Sequence, residues 1–154
     1  LGDLLMARGY HLGLAESCTG GMLGERLTAS SGASGYFLGG IISYDDRVKE
    51  RVLGVPSALI IEHGAVSAEC ASAMARGVRQ LLTAEVAVAI TVVAGPSGGT
   101  DAKPVGLTYI AVVTPQSERV EQYTWAGSRH DNREESVEAA LVLAIELLAG
   151  EHND

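Results

Sequence analysis

Two hydroxyls, a thiol and a glycine pair stand together at Ser17-Cys18-Thr19-Gly20-Gly21. The stretch lies between a short apolar run and a segment with helical spacing. Such a turn gathers nucleophiles and free N–H groups at the positive end of a helix, which suits a developing oxyanion or a bound phosphate. An ordinary Ser/Thr cap with glycines for the turn accounts for the same residues. Familiar signatures do not apply. Met22 and Leu23 follow the glycines, where a Walker A loop needs Lys and a hydroxyl. Ala15 and Thr19 stand where GxSxG needs glycines, and G-x-G-x-x-G is absent.

A second stretch, Ala94 to Gly106, carries Gly95, Gly98, Gly99 and Gly106 together with Ser97, Thr100 and Lys103. It follows the most apolar run of the chain, Val86 to Val93. In open α/β sheets the C-terminal end of a strand is the usual site edge. A loop of this kind suits an anionic ligand, and a flexible connection is the plain alternative. A serine nucleophile needs a base. The histidines at 11, 63, 130 and 152 pair with no acid in an evident constellation. Lys49, five residues after Tyr44, becomes a base if burial lowers its pKa; otherwise it is a solvated helix residue. Arg129 and Arg133 lie four apart at the start of the last helix, suited either to a phosphate or to Glu134, Glu135 and Glu138 nearby. Cys18 is a rival nucleophile, since a helix N-terminus lowers a thiol's pKa. Cys70 reads as a small hydrophobe. No His/Cys/Asp/Glu set has metal-ligand spacing.

The elements that must hold these residues follow from periodicity. Helices are expected over Leu1–Arg8, Met22–Ala29, from Asp45 or Asp46 to Leu53, and from a Ser67 cap to about Thr83. A last helix is expected from an Asp131 cap, with Glu134 completing a capping box and Val137, Leu141, Ala144 and Leu148 facing inward. Leu59–His63 reads as a short turn. Strands are expected over Leu12–Ala15, Tyr36–Tyr44, Val86–Val93, Val105–Thr114 and Arg119–Trp125, the last two as an antiparallel pair. Helices between strands give an α/β fold, a three-layer α/β/α arrangement around a central mixed sheet. The 154 residues and 16.0 kDa suit a single domain over 1–154. Eleven basic against nineteen acidic residues give a net charge of -8, which disfavours non-specific nucleic-acid binding and anionic membrane surfaces. Two cysteines make no disulfide framework, and no apolar run approaches a membrane span. A cytoplasmic protein is the expectation.

AESCTGG at 15–21, GGIISYDDRVKERVLGVP at 39–56, HGAVSAECASAMARGVR at 63–79 and AGPSGGTDAKPVG at 94–106 resemble the CinA C-terminal domain family in sequence and order. The family includes stand-alone nicotinamide-nucleotide amidohydrolases. The resemblance implies an α/β/α fold, a homodimer, and deamidation of nicotinamide mononucleotide to nicotinate mononucleotide without metal or cofactor. It implies Ser17 as nucleophile, with Tyr44, Lys49 and Thr91 at the active site. Substrate contacts are then expected from Cys18, Thr19, Gly20 and Gly21, from Gly95, Gly98 and Gly99, and from Arg129 or Arg133 near the phosphate. The family reads TG-x-AGP where this chain has Thr91-Val92-Val93-Ala94-Gly95-Pro96. A β-branched residue is costly if that glycine has positive φ. A nucleotide-binding regulatory domain with weak or no turnover is therefore the alternative reading, and a Cys18 hydrolase a third.

Overall fold

The computed structural model describes residues 1–151. Five strands make one sheet: β1 (Leu12–Glu16), β2 (Phe37–Ile42), β3 (Val86–Val92), β4 (Leu107–Val113) and β5 (Glu118–Thr124). Six helices cover it: α1 (Gly2–Arg8), α2 (Met22–Thr28), α3 (Asp46–Arg51), α4 (Ser57–His63), α5 (Ala68–Leu82) and α6 (Arg129–Gly150). The strand order is β2-β1-β3-β4-β5. β1 is parallel to β2 and β3, whereas β4 runs antiparallel to β3 and to β5. This is the mixed sheet between helical layers that the alternation of elements predicts.

The period-2 alternation of the strands sorts large from small side chains. Leu12, Leu14, Val86, Val88, Ile90, Ile110 and Val112 face α1, α2 and α6. Ala15, Ala87, Ala89 and Ala111 face the other way, against Cys70, Ala71, Met74, Ala75 and Val78 of α5. Small residues on both sides of that second layer let α5 lie close on the sheet. β3 is buried along its whole length, as a strand covered on both faces must be.

Several boundaries depart from the sequence expectation. β2 ends at Ile42, so Tyr44 lies beyond the strand. Pro56 precedes a full helix, α4, where a short turn is expected. Ser128, not Asp131, caps α6: its hydroxyl accepts from the Asp131 amide at 3.1 Å, and the Asp131 carboxylate accepts from the Ser128 amide at 3.0 Å. The capping box is real but three residues earlier, with Asp131 in the role expected of Glu134. Of the expected inner stripe, Val137, Ala144 and Leu148 are buried, while Leu141 is only partly covered and Leu143 is buried beside them.

The chain leaves β1 for β2 on one side and returns past it to β3 on the other. The C-terminal edge of β1 and β3 is therefore a topological switch point, where open α/β sheets place ligands.

Candidate active site

Ser17 follows β1 at that switch point and is 4% exposed. Its amide donates to Ile90 O of β3 at 3.2 Å, and its carbonyl accepts from Gly20 N at 3.0 Å. Gly20 and Gly21 have φ of +61° and +104°, which turns the chain into α2. That conformation is open to glycine and strained for other residues. Among the described residues, no group accepts from the amides of Cys18, Thr19 or Gly21. Three N–H groups thus stay unpaired in the turn that follows Ser17.

Glu16, the last residue of β1, decides what the helix end can do. Its buried carboxylate accepts from Leu23 N at 2.9 Å and Gly24 N at 3.1 Å. The first turn of α2 is satisfied internally, so the free donors are those of the turn before it. The Glu16 carbonyl also accepts from Ser43 N at 2.7 Å and Ser43 Oγ at 3.2 Å. Ser43 O in turn accepts from Lys49 Nζ at 2.8 Å. Lys49 is 1% exposed. Its ammonium also donates to Tyr44 O at 3.2 Å and lies 3.5 Å from Asp46 Oδ1. Lys49 is therefore a buried residue, not a solvated one. Ser43 links it to the strand end that carries Ser17, and among the described residues Lys49 and Ser17 share no direct hydrogen bond.

The remaining expected residues lie along the same edge of the sheet. Thr91 is buried near the end of β3, and its hydroxyl donates to Ala65 O at 2.8 Å. Arg129 bridges two segments: Nη1 donates to Gly95 O at 2.8 Å and Nη2 to Tyr44 Oη at 3.2 Å. Arg133 clasps the serine turn, donating to Cys18 O at 2.9 Å and Thr19 O at 3.1 Å. Neither arginine pairs with the acids of its own helix. Gly95 and Gly98 take φ of +85° and +88°, and an added Cβ on Gly99 would press on the Val105 backbone. Asn132, buried at the start of α6, holds the base of this loop by donating to Ala94 O at 3.0 Å.

Val92 sits in regular register opposite Thr108 and is 2% exposed. Thr83 is the one non-glycine residue with positive φ among those described, so Val92 carries no backbone strain. Burial pushes the Cys70 thiol up to about 11, and the Lys49 and Lys103 charges only partly offset it. That thiol is no nucleophile. Cys18 is half-buried and free. Among the described residues no His/Cys/Asp/Glu group of three gathers in metal-binding geometry, and no helix is long and apolar enough to cross a membrane.

Sequence reasoning missed Glu16, Ser43 and Asn132. An acid directly before the serine turn was a usable signal for the first, because α2 starts without a Ser, Thr or Asp cap. The other two act through contacts distant in sequence.

The CinA C-terminal domain profile matches residues 1–148. The chain belongs to the CinA family. It is 52% identical over 126 residues to a CinA-like protein of Citrifermentans bemidjiense, covering 82% of this chain and 30% of that protein. It is 46% identical over 138 residues to a CinA-like protein of Geobacter sulfurreducens, covering 90% and 33%. The chain thus spans about a third of the length of these curated CinA relatives. Among solved structures, the competence damage-inducible protein A of Klebsiella pneumoniae superposes with a TM-score of 0.93 at 33% identity, covering 97% of this chain and 93% of that one. The competence/damage inducible protein CihA of Agrobacterium tumefaciens gives 0.92 at 33% identity, covering 95% and 90%.

Proposed function

We propose that this CinA-family domain is a serine amidohydrolase that converts the carboxamide of nicotinamide mononucleotide to a carboxylate. The observation that carries the reading is the buried Ser17 hydroxyl beside the unpaired amides of Cys18 and Thr19 at the β1/β3 switch point. A nucleophile flanked by preorganised N–H donors is the arrangement acyl transfer needs.

In this reading Ser17 Oγ bonds to the carboxamide carbon while Lys49, in its unprotonated form, takes the hydroxyl proton. The two amides hold the oxyanion. The C–N bond breaks and Lys49 returns the proton to the departing ammonia. Water then cleaves the ester, releasing the nicotinate nucleotide and restoring the serine hydroxyl. Lys49 must exchange Ser43 O for Ser17 Oγ to serve. The Tyr44 phenol lies against Arg129 instead, so the direct route to Lys49 is favoured over one through Tyr44. The exposed Arg129 is the guanidinium placed to meet a phosphate, since Arg133 is spent on the serine turn.

The test is ammonia release from nicotinamide mononucleotide by the purified protein and by Ser17→Ala. Loss of a nucleophile costs about a thousandfold or more in turnover, with nucleotide binding retained in the variant. Comparable turnover in Ser17→Ala would sink the assignment and move it to Cys18. One observation favours a second reading, nucleotide binding without turnover. The Lys49 ammonium is engaged by two carbonyls and not by Ser17. Saturable binding with no ammonia release from the folded wild type would select it.

A further inference from the structure

We propose that Lys103 is a positioning residue, a latch that holds the tip of the 94–106 loop on the turn between α4 and α5. Its link to catalysis rests on the reading of this loop as a wall of the nucleotide site.

The base of the loop is well tied. Gly106 N donates to Val93 O at 2.7 Å, Val93 N to Leu107 O at 2.9 Å, and Asn132 and Arg129 hold the carbonyls of Ala94 and Gly95. The tip is different: residues 96–102 are exposed. Thr100 N donates to Lys103 O at 2.8 Å and Lys103 N to Thr100 Oγ1 at 3.0 Å, closing a local turn that reaches nothing else. Among the described residues, the tip's hydrogen bonds to the rest of the protein come from the Lys103 ammonium alone. It donates to His63 O and to Val66 O, the second at 2.8 Å.

The receiving turn is built for this. Four successive carbonyls each accept from a side chain: His63 O and Val66 O from Lys103, Gly64 O from Ser67 Oγ at 2.9 Å, and Ala65 O from Thr91 Oγ1 at 2.8 Å. The latch and the site threonine thus share one anchor. Gly64 has φ +81°, and a Cβ there would fall on Lys103 Nζ. Gly64, on an element distant in the chain, leaves the space that the ammonium fills. A compact ammonium can serve two carbonyls from that space. A planar guanidinium is larger and fixed in its donor directions.

The experiment uses Lys103→Met, which keeps much of the chain length and removes the donors, and Lys103→Arg, which keeps the charge. The first readout is cutting at Thr100–Asp101 by an endoprotease specific for the bond before Asp, followed by mass spectrometry. Losing both charged bonds raises the opened fraction of the tip, and with it the cutting rate, by about tenfold or more. Arg is expected not to rescue. The second readout is the split between KM and kcat on nicotinamide mononucleotide. A positioning role raises KM about tenfold and leaves kcat within about threefold. Gly64→Ala, which pushes on the latch from the other side, should reproduce both effects.

An unchanged cutting rate in Lys103→Met overturns the latch. Faster cutting with unchanged kinetics overturns its link to the site. A fall in kcat at constant KM overturns the positioning role and assigns Lys103 to the reaction. If the wild type releases no ammonia, the amidase reading fails while the cutting rate still decides the latch.

Discussion

Glu16 offers a sharp test of how the serine turn is held. Its carboxylate accepts two amides of α2 from a position 3% exposed, while its own carbonyl accepts from Ser43. A hydrogen bond from a buried amide to a charged group contributes about 1.5–3 kcal/mol. In Glu16→Gln one oxygen still accepts from Leu23 N, but an NH2 group now faces Gly24 N–H. One bond is lost, at a cost of about 2 kcal/mol. Glu16→Ala loses both bonds and leaves a void beside Leu14 and Leu23, at a cost of about 4 kcal/mol. For a chain of this size these convert to falls in Tm of roughly 4–8 °C and 8–16 °C. Urea unfolding followed by circular dichroism reads the same order from the midpoints, provided the slope is unchanged. A Gln variant within about 0.5 kcal/mol of the parent would refute the argument, because that is the range of surface changes without a structural cause. So would a Gln variant as poor as Ala, which would mean that charge and not acceptor geometry holds the turn.

Two further expectations follow from buried residues near the site. Val92→Gly, which puts a glycine where the family resemblance leads one to expect it, should lower stability by about 2 kcal/mol through lost burial and strand entropy without raising turnover. A gain in ammonia release would show that Val92 does obstruct the site. Cys70 carries a pH dependence. Burial raises its thiol from 9.0 to about 11, so the unfolded chain releases this proton first. Stability is intact below about pH 9 and falls as the pH rises toward about 11. Cys70→Ala should flatten that alkaline decline, measured by urea midpoints across the interval, and an unchanged slope would refute the assignment.

The layered fold was legible because its signals are local. The unbroken β-branched run at 86–93 announces a strand covered on both faces, and Ser67 with Glu69 announces the start of α5. The errors fall where two local signals compete. Ser128 and Asp131 are both good caps, and the choice is made by Gly127 N and Ala94 O, which draw Asn132 into the first turn. Within the candidate site, residue types pointed to Ser17 and the two arginines, and the family resemblance brought in Thr91 and favoured Lys49 over a solvated lysine. The partners of Thr91 and the two arginines were illegible because each lies far away in the chain. Arg133 reaches Cys18 over 115 positions, and Lys103 reaches His63 over 40.

Those partners change what the cationic residues mean. Arg133 donates to the carbonyls of residues 18 and 19, Arg129 to that of 95, Lys49 to those of 43 and 44, and Lys103 to those of 63 and 66. Each cation neutralises carbonyl dipoles and fixes one loop at the C-terminal edge of the sheet. At the serine turn, carbonyls drawn toward a cation go with amides that stay unpaired. This is visible residue by residue, since Arg133 holds the oxygens of Cys18 and Thr19 while both amides stay unpaired. In the proposed reading, a chain with a net charge of -8 thus offers a developing oxyanion the amides of one turn, which keep their direction without solvent reorganisation. Arg133 thus acts one layer behind those amides, setting the aim of the backbone donors, while Arg129 is the cation that the proposed reading leaves to meet the ligand.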